Sequence, residues 1–144
     1  MKDLIEKFWI TDEGYPAVVR FNQFGCRVAY VGVPPTHKLY KKDCRYLDNI
    51  KCHGTLDFSS TQFNNGGLKN YPAKDPKYDD YWFFGFCADH CWDAQDVEGY
   101  KRLHGEEPFK MTKYEYQIIR TLDFMVNNCN SISKQLKGKQ DEKI

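Results

Sequence analysis

Two histidines lie in segments where an imidazole could do chemistry. His53 precedes Gly54 inside an alternating apolar and polar segment, so its ring is expected on the polar face of a strand. A neutral imidazole there can accept a hydrogen bond from a ligand, bind a metal ion or act as a base. The alternative is a histidine that only holds a neighbouring loop. His53 is therefore a candidate site residue with both interpretations open.

His90 follows directly after a strongly apolar segment and lies between Asp89 and Asp93. A histidine with nearby carboxylates is typical of a metal ligand or of an acid–base pair. The alternative is a buried histidine that fixes the loop after it. A nucleophilic pair of His90 with Cys87 or Cys91 is disfavoured, because side chains this close in sequence seldom face each other.

A third histidine, His37, begins a locally basic run over residues 37–51 that includes Lys38. Such a cluster suits the oxygens of a small phosphate ligand, although a solvated loop has the same composition. The sequence contains no glycine-rich phosphate loop, no HExxH zinc motif and no GxSxG elbow. It thus indicates binding residues, and it assigns no catalytic residue, cofactor or metal ion.

The length and composition limit the function classes. A chain of 144 residues suits one domain. A formal net charge of +1 argues against a stable complex with nucleic acid. The aromatic share of 16% is high, and such residues fill sheet cores, stack on flat ligands or cover oligomer interfaces.

The six cysteines come without a secretory signal pattern, which favours free thiols and the cytoplasm. No apolar run approaches the roughly 20 residues that a membrane-spanning helix needs. We therefore expect a protein without a membrane partner.

The strands can be placed from the apolar pattern. Residues 17–21 and 26–33 predict a hairpin, and 81–88 predict a buried strand. Residues 2–10 fit either a short helix or a strand. The alternating segment 50–58 predicts a strand with His53 and Asp57 on one face. Residues 59–80 predict a loop with its turn at 65–67.

The C-terminal part predicts a helix over residues 110–134. Thr112 and Glu115 have the spacing of a capping box, and apolar residues then recur at helical spacing from Ile118 to Cys129. The end of this helix is expected near Ser133, with a frayed tail over 135–144, and residues 89–108 are expected to be partly helical. The fold class is α+β: one domain, with a small antiparallel sheet of about four or five strands packed against the C-terminal helix.

Three blocks carry a resemblance. They are GCRVAYVGVPPTHKLY (25–40), CHGTLDFS (52–59) and YWFFGFCADHCWD (81–93). Together and in this order they resemble a family of small phage- and prophage-encoded proteins, over about the first two thirds of the chain. The positions that match the family pattern are Gly32, Val33, Pro34, His37, Leu39, Tyr40, His53, Gly54, Leu56, Phe58, Ser59, Trp82, Phe84, Gly85, Phe86, His90 and Asp93.

Two departures from the family pattern bear on activity. Thr55 replaces a second glycine after His53, and Cys87-Ala88 stands where the family has Asp-Cys. A catalytic role for that family aspartate would be lost here unless Asp89 replaces it.

The resemblance implies a function, since small phage proteins often counter host defence. The leading hypothesis is an anti-defence sponge, a homo-oligomer that sequesters a nucleotide-derived immune signal such as a cyclic nucleotide or ADP-ribose derivative. Its predicted ligand contacts are Trp82 or Tyr30 for stacking, Arg27, His37 and Lys38 for phosphate, and His53, Asp57, His90 and Asp93 for hydrogen bonds.

Two alternatives stay open. One is a hydrolase or nuclease in which His53, His90 and Asp93 bind a metal ion or move protons. The other is a protein-binding inhibitor of a host factor, for which the aromatic excess would form an exposed patch.

Overall fold

A hairpin of two apolar strands forms the middle of a five-stranded antiparallel sheet. The computed structural model of the protein describes residues 5–61 and 76–143. The predicted α+β fold is confirmed, and the strands follow the order β1-β2-β3-β5-β4. The strands are β1 (Ile5–Ile10), β2 (Pro16–Phe21), β3 (Arg27–Val33), β4 (Phe58–Ser60) and β5 (Trp82–Cys87).

Two helices and a short ladder complete the described fold. They are α1 (Val97–His104), α2 (Leu122–Asp141) and a parallel pairing of β6 (Asp93–Ala94) with β7 (Ile118–Ile119). The partly helical character expected for residues 89–108 is confirmed by α1. Neither helix of the described residues has the length and apolar character that crossing a bilayer requires.

The turn of the hairpin is set by one asparagine. The Asn22 side-chain oxygen accepts hydrogen bonds from the backbone N–H groups of Phe24 and Cys26 at 2.9 and 3.1 Å. Gly25 then adopts a φ of 72°, a left-handed conformation that costs glycine little. Local turn chemistry therefore explains why the sequence predicts this hairpin correctly.

The sheet is buried on both faces, which explains the nearly continuous apolar run in β5. One face packs against α2, where Phe84 and Phe86 meet the buried side chains of Met125 and Ile132. The other face forms a smaller cluster around Phe83.

Two further predictions concern residues 2–10 and 65–67. Residues 5–10 form strand β1, which decides between the helix and the strand expected for residues 2–10. The turn expected at 65–67 lies outside the described residues.

The predicted strand over residues 50–58 is wrong for most of its length, since only Phe58 onward pairs with β5. Gly54 and Thr55 have φ values of 78° and 132°, which break the extended conformation. The backbone before them is bound by α2 instead: Lys51 N–H donates to Gln135 Oε1 at 2.7 Å, and His53 N–H donates to Asn128 Oδ1 at 2.8 Å. His53 and Asp57 therefore share no strand face.

The predicted bounds of the C-terminal helix are also wrong. The helix begins at Leu122, where Thr121 Oγ1 accepts from Phe124 N–H at 3.2 Å, so the capping box at Thr112 is not used. Ile118 belongs to β7 rather than to the helix.

The helix also continues past the predicted end and includes most of the expected frayed tail. Leu136 is buried in the core, and its carbonyl oxygen lies 2.9 Å from His37 Nε2. The Lys38 backbone N–H donates to Gln140 Oε1 at 2.8 Å. These tertiary contacts stabilise the last turns of α2 up to Asp141.

Replacing the N-cap should distinguish the two helix starts. Thr121→Ala removes the side-chain acceptor of the first turn and is expected to lower the free energy of unfolding by about 1 kcal/mol. Thr112→Ala, the matched control, is expected to stay within about 0.5 kcal/mol of the unmodified protein. Urea denaturation monitored by circular dichroism measures both values, and the reverse ranking would contradict this helix start.

Candidate functional site

Asp93 is a buried carboxylate on which four donors converge. The residue is 3% exposed. His53 Nε2 lies 2.9 and 3.0 Å from its two oxygens, and Arg120 Nε donates to Oδ1 at 2.8 Å. His90 approaches Oδ2 twice, through its backbone N–H at 3.0 Å and through Nδ1 at 3.2 Å. The carboxylate thus joins two imidazoles and one guanidinium.

Separate parts of the fold deliver these donors. The turn after β5 places His90 next to Asp93, since Asp93 N–H donates back to the His90 carbonyl at 2.9 Å. The β6–β7 ladder aligns Asp93 with Ile118 and so brings the neighbouring Arg120 to the carboxylate. On α2, Phe124 packs edge-on against the His53 ring, with centroids 5.1 Å apart. The site therefore depends on tertiary contacts rather than on one local motif.

The environment keeps Asp93 ionised. Burial raises the pKa of the Asp93 carboxyl, but hydrogen bonds from His53 and Arg120, with the His90 backbone N–H, outweigh it and leave this pKa below its ordinary value of 3.8. An ionised carboxylate only accepts, so each neutral imidazole must present an N–H to it. The lone pairs then remain on His53 Nδ1 and His90 Nε2. The side chains of His53 and His90 are 18% and 42% exposed.

A second polar cluster lies on the other side of His90. Cys87 Sγ is 2.8 Å from Asp57 Oδ2 and also 2.8 Å from Asp89 Oδ1. Desolvation and the two neighbouring carboxylates raise the pKa of the Cys87 thiol far above its usual range. Desolvation and the charge of Asp89 likewise raise the pKa of Asp57. Without a bound cation Cys87 is a neutral thiol, which is a poor nucleophile. The expectation that Cys87 and His90 do not face each other is wrong, since their ligand atoms lie within 4.8 Å of each other.

Both clusters have the donor atoms of a metal site. The ligand atoms of His53, His90 and Asp93 all lie within 4.8 Å of one another, and the same holds for Asp57, Cys87 and His90. Imidazole and thiolate suit zinc and other late transition metals. His90 is common to both groups.

Four of the nine predicted ligand residues come together, namely His53, Asp57, His90 and Asp93. The predicted phosphate ligands do not join them. Arg27 is 5% exposed and is paired with Glu6 at 2.6 Å and Asp96 at 2.9 Å.

His37 and Lys38 bind the end of α2 instead of lining the cluster. The His37 ring lies between the Leu136 carbonyl and the Leu39 N–H, so both of its nitrogens are engaged. The Lys38 ammonium bonds the carbonyl of Glu142.

The predicted stacking residues are engaged in other contacts within the fold. Tyr30 is buried, and its hydroxyl accepts from the Arg20 guanidinium at 3.1 Å. Trp82 donates through Nε1 to the Lys42 carbonyl at 2.9 Å.

An exposed aromatic surface (Trp92, Tyr114 and Tyr116) lies next to the site instead. Trp92 is 60% exposed, and its ring centroid is 4.8 Å from that of Tyr116. Tyr114 stacks on Tyr116 at 5.6 Å with an interplanar angle of 12°. A cleft of about 170 Å³ lies beside Asp93, between residues 93–98 and 111–119.

Sequence reasoning did not find Arg120 or Asn128. Arg120 reaches Asp93 only because β7 pairs with β6, whereas the sequence pattern places this segment in a helix. Asn128 lies on α2 and accepts from the His53 N–H, but in the sequence it looks like an ordinary polar residue of a helix. No family model, curated protein or solved structure matches the chain.

The charge of Asp93 should make stability depend on pH. Because its pKa is lowered in the folded protein, the ionised carboxylate stabilises the fold above pH 3.8, and this contribution is lost as the pH falls through the lower folded value. Asp93→Asn is therefore expected to lower the free energy of unfolding by about 2 kcal/mol at pH 7. The difference from the unmodified protein should shrink below pH 3.8.

Asp57→Asn is the matched control, because the pKa of Asp57 is shifted in the opposite direction from that of Asp93. The pKa of Asp57 is raised, so its ionised form is disfavoured in the folded state, and a neutral replacement should cost no stability at pH 7. Denaturation midpoints at pH 7 and at acid pH measure both effects. Equal losses for the two variants at pH 7 would contradict the assignment.

Proposed function

We propose that the protein is a hydrolase that acts on a nucleotide-type phosphate ester, with His53 as its general base. The observation that carries the proposal is the buried Asp93 carboxylate bonded to the imidazole of His53 at 2.9 Å. A carboxylate in this position holds an imidazole in one tautomer and stabilises the imidazolium that forms when the ring takes a proton.

The chemistry follows from the tautomer. With its Nε2–H donated to Asp93, His53 takes a proton from water at Nδ1 while the water oxygen forms a bond to phosphorus. The bond from phosphorus to the leaving oxygen breaks, and the proton on His53 passes to that oxygen. The imidazole returns to its neutral form, so the cycle needs no other proton donor.

The aromatic surface supports a nucleotide-type substrate. Aromatic side chains stack on nucleobases, and each such contact contributes about 1–3 kcal/mol. Trp92 is two residues from His90 and largely exposed. The cleft beside Asp93, at about 170 Å³, is smaller than most ligand pockets, so most of the substrate would lie on the exposed surface. A net charge of +1 favours a small substrate over a long nucleic acid.

Sequestration of a nucleotide-derived immune signal stays a prediction, as do the homo-oligomer and the binding of a host protein. Arg27, His37 and Lys38 are engaged in internal contacts. A sponge would therefore need phosphate contacts from other side chains.

Substitution of the base tests the proposal. The purified protein is incubated with bis(p-nitrophenyl) phosphate and with a panel of linear and cyclic dinucleotides, and product is measured by absorbance and mass spectrometry. His53→Gln is expected to lower kcat/KM by a hundredfold to ten-thousandfold, about the usual contribution of a general base. His104→Gln on α1 is the control that replaces a histidine away from Asp93.

Thermal denaturation of each variant confirms that the fold is retained. Turnover that is unchanged in a folded His53→Gln protein would contradict the proposed base. Recovery of intact nucleotide, bound without cleavage, would contradict hydrolysis and support sequestration.

A further inference from the structure

The Cys87 thiol stands between two carboxylates, and it can satisfy only one of them. Its sulfur lies 2.8 Å from both Asp57 Oδ2 and Asp89 Oδ1. A thiol has one hydrogen to donate, so when both carboxylates are ionised the second contact sets a sulfur lone pair against a carboxylate oxygen. Both distances are as short as an ordinary N–H···O bond, although sulfur is a larger atom. A cation at this point would turn the repulsive contact into shared ligation.

His90 adds to the cluster an imidazole nitrogen whose lone pair can bind a metal ion. Its Nδ1 lies 3.2 Å from Asp93 Oδ2 and donates to that carboxylate, so the lone pair is on Nε2. Metal-binding histidines commonly donate their other ring N–H to a carboxylate, which fixes the ring and raises its basicity. Asp93 is therefore a positioning residue for His90.

Gly54 packs against the His90 ring. A Cβ atom at Gly54 would lie 2.4 Å from His90 Cε1 and 2.9 Å from Nε2, and the residue has a φ of 78°. Only glycine allows this approach without strain. The position of the ring is thus fixed by the Gly54 backbone and by the Asp93 carboxylate.

We propose that Cys87, His90 and Asp57 bind a divalent transition-metal ion of the zinc class, with the Asp89 carboxylate in contact with the Cys87 sulfur. The ligand atoms of the first three lie within 4.8 Å of one another. A set of thiolate, imidazole and carboxylate selects zinc, cobalt or a similar ion over magnesium or calcium, which prefer oxygen ligands alone. His90 and Asp57 are exposed, so an ion can enter from solvent.

The ion would also supply an electrophile at the substrate oxygen of the proposed hydrolase, and this role rests on the proposed function. The ring centroids of His90 and His53 are 5.5 Å apart, so a cation held by His90 lies beside the general base. A zinc-class ion is a Lewis acid that stabilises developing negative charge on a phosphoryl oxygen. Metal binding itself does not depend on hydrolysis.

Direct metal titration tests the site. The protein, reduced and treated with chelator, is titrated with Co²⁺ and then with Zn²⁺, and binding is followed by absorption spectroscopy and calorimetry. One ion per chain with a sulfur-to-cobalt charge-transfer band is expected. Cys87→Ala should abolish the band and weaken binding at least a hundredfold, and Cys87→Ser should keep weaker binding without the band.

Cys91→Ala is the matched control, because Cys91 is exposed and outside the cluster. It should bind as the unmodified protein does. Asp93→Asn should weaken binding by about tenfold to a hundredfold, as expected for the carboxylate partner of a ligand histidine. Melting curves with and without Zn²⁺ show whether each variant is folded.

His53→Gln separates this site from the alternative group of His53, His90 and Asp93. It should bind Co²⁺ normally while losing hydrolysis, so metal binding and the proposed activity can fail independently. Binding that is lost in His53→Gln but kept in Cys87→Ala would overturn the assignment, as would a folded protein that binds neither ion.

Discussion

A carboxylate with almost no exposed surface stays charged only when donors replace the water that it has lost. Asp93 meets this condition with His53, Arg120 and both the ring and the backbone N–H of His90. These donors come from the irregular segment before β4, the residues just before α2 and the turn after β5. The need of one buried carboxylate for hydrogen-bond donors therefore explains why these three segments lie together.

The parts of the fold that depend on local chemistry can be predicted from the sequence. The Asn22 turn with its flanking valines specifies the hairpin, and the apolar run of β5 indicates burial on both faces. The α2 start was mispredicted because Thr112 has better local capping partners than Thr121. Pairing of β7 with β6 holds that segment extended, a nonlocal contact that no sequence window contains.

The candidate site was predictable in its residue types and not in its geometry. His53, His90 and Asp93 stood out as polar groups beside apolar segments, and the structure places them in one cluster. Arg27 and His37 looked equally suitable for a ligand, but internal partners occupy them. Residue type alone does not say whether a charge faces a ligand or another part of the same chain. That distinction requires the tertiary contacts.

The packing of Gly54 against the His90 ring links two positions that are far apart in sequence. Any side chain at the first position takes the space of the imidazole at the second. In a set of related chains an imidazole at position 90 should therefore be accompanied by glycine at position 54, because a side chain at 54 would meet the ring and would also be strained by the positive φ. This rule of co-variation can recognise distant relatives in which little else of the sequence is retained.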